Sequence, residues 1–173
     1  MQAPRTWKRI LDLISDGYGR GHLDDYRPWL RIHRKNASPV SNQVVACMPG
    51  YDRQAHFFAR VEWYVALLCL WLGAYDVREQ FPLWPMNHKH PLAPDGRVWN
   101  MPDVEGLWWI AQRAGIRHGT EVGSDGVPYV ATMDLMVTLD DGLHQNVAAV
   151  SLKPHDKVSK AEDRKSTRLN SSH

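Results

Sequence analysis

The chain has 173 residues, 43% of them hydrophobic and 23% charged, which suits one globular unit with a core of ordinary size and excludes disordered, collagenous and coiled-coil classes. Its longest apolar run without tyrosine, Val65 to Leu72, holds eight residues, far below the roughly 18 to 20 that cross a bilayer. Net charge is +2, and Cys47 and Cys69 are the only cysteines, too few for a zinc ribbon or a disulfide framework.

Arg5, Lys8, Arg9, Asp12 and Asp16 stand where a signal peptide would need an apolar centre, so no membrane contact and a cytoplasmic location are expected. Charge is uneven. Arg164, Lys165 and Arg168 lie in the last ten residues, and without them the chain carries 18 basic against 19 acidic residues. Residues 1 to 60 hold ten Lys or Arg against five acids, an excess that is either a solvated surface or a face for phosphates.

The first predicted element is a short helix over Trp7 to Ser15, with Trp7, Ile10, Leu11 and Ile14 at helical spacing and Gly17 as its stop. The alternating glycines of Gly17-Tyr18-Gly19-Arg20-Gly21 follow a helix and not a strand, so they read as an irregular segment rather than a dinucleotide loop. Loops are expected over Asn36 to Asn42 and Pro49 to Asp52. A long helix follows from about Asp52, a candidate N-cap, to Leu72, with Phe58, Val61, Val65, Leu68 and Leu72 as its core stripe and Gly73 ending it. Tyr75 to Phe81 reads as a strand stopped by Pro82. After a proline-rich connection, Asp103 could cap a helix through Ile110 to Ala114.

The strongest β signal is a hairpin, Met133 to Leu139 and Val147 to Lys153 around the Asp141-Gly142 turn. Setting Asp140 opposite Val147 places Asp134 opposite Lys153; a slip of two residues places it opposite Ser151, on the same face. From Arg164 the composition turns polar and loses periodicity, so residues 164–173 read as a non-native or disordered tail. A helix starting near Asp156 looks cut short.

Chemistry could gather where Glu62 joins Asp134 and Lys153. Glu62 lies roughly 70° to 80° from the centre of the helix stripe, at the border of an apolar surface where an acid must be paired, protonated or bound to a cation. A salt bridge to Arg78 is the plain alternative, as a cross-strand ion pair is for Asp134 and Lys153. Two acids and a lysine suit phosphodiester hydrolysis, because carboxylates hold a hard dication and the ammonium can neutralise developing charge. His88-Lys89-His90 lacks the further ligands of a zinc site. Trp84, Trp99, Trp108 and Trp109 read as core before base stacking. Arg20, Arg27 and Arg31 are the better candidates for DNA phosphates.

Gly19-Arg20-Gly21 with Asp25-Tyr26-Arg27-Pro28-Trp29-Leu30, then Val77-Arg78-Glu79-Gln80-Phe81-Pro82-Leu83, Met133-Asp134-Leu135-Met136-Val137 and Val150-Ser151-Leu152-Lys153-Pro154 resemble TnsA-type transposon endonucleases in order and approximate spacing, over roughly residues 14 to 160. The resemblance implies the N-terminal catalytic domain of a PD-(D/E)xK nuclease. Its α/β fold would be restriction-endonuclease-like, a central mixed sheet flanked by helices with the catalytic hairpin at about 133–153. Residues 1–163 would form that domain, truncated at its C-terminal helix.

The implied activity is metal-dependent cutting of the 5′ strands of DNA at transposon ends, beside a DDE transposase subunit and under an ATPase regulator reached through a C-terminal domain that is missing. The implied cofactor is Mg2+, with Mn2+ as a substitute. Glu62 and Asp134 would ligate it with the Leu152 carbonyl, and Lys153 would be the catalytic lysine. Ser151 stands where the wider class carries an acid, and Asn87 to Gly126 is longer than the resemblance explains. The alternative is an inactive adaptor of the same fold that binds DNA or transposase without cutting.

Overall fold

A computed structural model of the protein describes residues 6–33, 42–93 and 101–153. The expectations for Trp99, for a helix near Asp156 and for the tail at 164–173 lie outside them. Helix α1 (Trp7–Ser15) has the expected bounds, and the Thr6 hydroxyl caps it by accepting from the Arg9 N–H at 3.3 Å. Its buried residues are Ile10 and Leu13, while Trp7 and Leu11 are exposed, so the helix is rotated toward Leu13 relative to the expected face.

The next region departs most from expectation. Strands β1 (Val44–Cys47) and β2 (Gln54–Phe57) form an antiparallel hairpin, Val44 opposite Phe57 and Cys47 opposite Gln54. The long helix therefore does not start at Asp52, whose backbone N–H donates to Asp24 Oδ1 at 2.7 Å. It starts eight residues later as α2 (Arg60–Trp71). The cause is burial: Ala55, His56 and Phe57 are all enclosed, which an extended segment achieves on both faces and a helix of the same sequence does not.

The core stripe of α2 is also displaced. Its buried residues are Glu62 and Ala66, whereas Phe58, Val61, Leu68 and Leu72 of the expected stripe are exposed. The helix is apolar on nearly every side, so periodicity could not select the inner face. Small Ala66 belongs to one buried cluster with Phe57, Val77, Leu135 and Val137, and a short side chain there allows the helix close to the sheet.

Strands β3 (Asp76–Leu83), β4 (Ala131–Asp140) and β5 (Gln145–Val150) form a sheet of order β3-β4-β5. Its ladders, like that of β1 and β2, are antiparallel, where a mixed sheet was expected. β3 runs past Pro82, which pairs opposite Thr132; the strand is at the sheet edge, where a missing N–H breaks no ladder. Helix α3 (Leu107–Arg113) opens at Gly106, not Asp103, which pairs with Lys89 at 2.8 Å. Behind the sheet, Tyr26 packs with Phe81 and Met136, and a separate cluster joins Ile10, Leu13, Trp29, Trp84, Val127 and Val130. Among the described residues no helix is long and apolar enough to cross a membrane.

Candidate active site

The β4–β5 hairpin sets half of the site. Asp141 Oδ1 accepts from the N–H groups of Leu143 and His144, at 2.8 and 2.6 Å, and this Asx-type closure ends the turn early. Asp140 therefore pairs with Gln145 and Leu135 with Val150, two residues off the first expected register. Asp134 faces Ser151, not Lys153. As β5 ends, the Ser151 hydroxyl and the Leu152 N–H both turn onto Asp134 Oδ2, at 3.3 and 2.6 Å.

Glu62 comes from the first turn of α2. Its Oε2 accepts from the Phe58 N–H at 2.9 Å and from the Gln80 side-chain amide at 3.3 Å. The backbone bond satisfies a donor ahead of a helix that has no side-chain cap of its own. Burial pushes the Glu62 carboxyl above the ordinary glutamate range; the Phe58 N–H opposes this, and the charge of Asp134 adds to the rise. Two acids 72 positions apart in the chain thus share one electrostatic field. Each is anchored through a single oxygen, Oε2 of Glu62 and Oδ2 of Asp134, with the other oxygen of each outside these bonds.

Residues near the pair sort into two groups. Arg78 does not bridge to Glu62; it pairs with Asp76 at 3.4 Å and donates to the Pro91 carbonyl at 3.0 Å. Glu79 pairs with Arg53 at 2.9 Å. Both are buried and hold the sheet to the β1–β2 hairpin and the connection after β3. Gln80 belongs to the site itself. It is buried, has φ of 49° and lies at the rung of the β3–β4 ladder opposite Asp134, where pairing is skipped between Glu79–Leu135 and Phe81–Met133. A non-glycine residue in this region costs about 1–2 kcal/mol.

Lys153 is exposed and follows Leu152 directly. No group of three or more His, Cys, Asp or Glu residues able to hold a metal occurs among the described residues, so any cation would depend on two carboxylates completed by backbone carbonyls and water. That donor set is all hard oxygen and fits Mg2+, which keeps several waters. The arginines lie elsewhere: Arg27 donates to the Asp16 carbonyl at 2.8 Å, Arg31 approaches His56 at 3.5 Å, and Arg20 lines a cavity of about 490 Å³ with Arg78, Phe81 and Trp84. All three are exposed.

Sequence reasoning named Glu62 and Asp134, but Gln80 only as one member of the Val77 to Leu83 motif. The missing signal was conformational, since nothing in Glu79-Gln80-Phe81 announces a left-handed residue inside a strand.

No protein-family model matches the chain. It is 30% identical over 147 residues, 84% of its own length, to the transposon Tn7 transposition protein TnsA of Escherichia coli. The chain spans about 45% of that relative's length.

Proposed function

We propose that the chain is the catalytic region of a metal-dependent DNA endonuclease that works in transposition, cutting 5′ strands at transposon ends beside a transposase subunit. The observation that carries this reading is the pairing of Glu62 with Asp134, each fixed by one oxygen, with the charge of Asp134 adding to the cost of charge on Glu62. A cation relieves that cost. The likeness to a Tn7 transposition protein supports the biological setting.

In this reading Glu62 and Asp134 hold Mg2+, or Mn2+ in its place, with the Leu152 carbonyl as a further ligand. When bound, the ion polarises the scissile phosphate and lowers the pKa of a water. Ser151 and the Leu152 N–H hold Asp134 in place. Lys153, at the end of the same segment, supplies positive charge for the phosphate and positions the attacking water. Arg20, Arg27 and Arg31 offer phosphate contacts away from the reacting bond.

A second reading, an inactive adaptor that binds DNA or transposase, draws on Ser151 and on the exposure of Lys153. The test is Mg2+-dependent nicking of a transposon-end duplex by the intact protein with its transposase. Nicking that falls by about a hundredfold or more in Asp134→Ala supports the enzyme. Specific binding with no cleavage at any Mg2+ or Mn2+ concentration supports the adaptor.

A further inference from the structure

We propose that Gln80 is a positioning residue that orients the Glu62 carboxylate toward the cation site, an assignment that rests on the metal-site reading above. In a regular strand, residues two apart share a face and residues three apart do not. β3 breaks that rule at Gln80. Val77 packs with Ala66 of α2, while Arg78 and Phe81, three apart, lie together on the other side, the guanidinium 4.9 Å from the ring centroid. β4 breaks it at the facing rung. Leu135 packs toward α2, yet Met133 packs against Tyr26, Phe81 and Met136.

Both strands change phase where Gln80 faces Asp134, and the left-handed backbone of Gln80 accommodates the change in β3. With unbroken alternation Gln80 would share the face of Arg78, and Phe81 would take the side toward α2. The switch instead brings the Gln80 amide to Glu62 Oε2. The Glu62 carboxylate, which accepts only, takes the Nε2 end of that amide, and the Thr132 hydroxyl donates to the Oε1 end at 3.3 Å and holds it there. Thr132, Gln80 and Glu62 form a relay that, with the Phe58 N–H, sets the plane of the carboxylate and leaves Oε1 to a cation. A residue held in a strained conformation beside a reactive group points to a purpose beyond packing.

The test is Mn2+ binding to the 173-residue chain, read from loss of the free-ion electron paramagnetic resonance signal, together with metal-free melting. Gln80→Asn keeps an amide and tolerates the backbone but falls one methylene short of Glu62. Gln80→Gly removes the donor and all backbone strain. We expect binding by the wild type, its loss in Asp134→Ala, and affinity 10- to 100-fold weaker in the Gln80 variants, at metal-free melting temperatures within a few degrees of wild type.

A folded Gln80 variant with wild-type affinity would overturn the proposal and leave the metal site standing. Wild-type chain that takes up no Mn2+, or Asp134→Ala that binds unchanged, would overturn both. Should both Gln80 variants unfold, Thr132→Val still decides: weaker binding supports the relay, and unchanged binding overturns it.

Discussion

Glu62 has a structural part beside its proposed one. Oε2 completes the start of α2 by accepting from Phe58, and the helix N-terminus in turn favours the negative charge. Glu62→Ala therefore removes a cap as well as the candidate ligand, and Glu62→Gln is the cleaner probe because its amide oxygen still accepts. His56 carries a separate expectation. Burial, with the charges of Arg31, His33 and Arg53, pulls its pKa from 6.5 down to about 4, so on acidification the unfolded chain takes up a proton before the native one does. Stability is complete above about pH 6.5 and falls as pH drops toward 4, by roughly 1–3 kcal/mol. Urea unfolding at pH 7 and pH 5 measures it, and His56→Gln should flatten that part of the profile. At this scale the need of Glu62 and Asp134 for hydrogen-bond partners was legible, because an acid bordering an apolar helix and an acid on a hairpin must find them. The contact of Gln80 with Glu62 was not, since it depends on a backbone angle that no residue identity encodes.

Periodicity worked for elements with one wet face and failed for the helix that has apolar residues on all sides. α1 and the hairpin around Asp141-Gly142 were readable on that ground, although side-chain closure of the turn shifted the hairpin register by two. α2 was misassigned in both its start and its inner face. The correction has a consequence: Leu68→Ala, at a site half exposed, should cost less than about 1 kcal/mol. Leu135→Ala, at a fully enclosed site in the cluster that Ala66 touches, should cost about 2–5 kcal/mol. Denaturant midpoints of the two variants compare them directly. α3 provides another check. Its first N–H groups donate to the Trp84 and Pro85 carbonyls, and a Cβ at Gly106 would collide with the backbone of Pro85 and Met86. Gly106→Ala should lower stability by about 1–3 kcal/mol, measured in the same way.

Across the molecule, buried ion pairs tie β3, the strand that pairs with β4, to the segments that precede it, beside the apolar packing. Asp76 is fully enclosed, with His22 Nδ1 at 3.3 Å, Arg78 Nε at 3.4 Å and the Tyr51 hydroxyl donating at 3.1 Å. Burial alone would raise its carboxyl, but these neighbours hold it below the ordinary range. Asp76→Asn, which leaves Arg78 buried without its counter-charge, should cost about 3–5 kcal/mol in chemical denaturation. On the proposed reading, the site is linked to folding through its cation. Mn2+ at a hundred times its dissociation constant should stabilise the wild type by about 2.7 kcal/mol and leave Asp134→Ala unchanged.

The central claim, that Glu62 and Asp134 share one cation, is tested most directly by anomalous diffraction from crystals soaked in Mn2+. The expected result is a single strong peak between the two side chains, within about 2.5 Å of an oxygen of each and absent in Asp134→Ala. Saturating Mn2+ with no peak there, or a peak touching only one of the two acids, would contradict it.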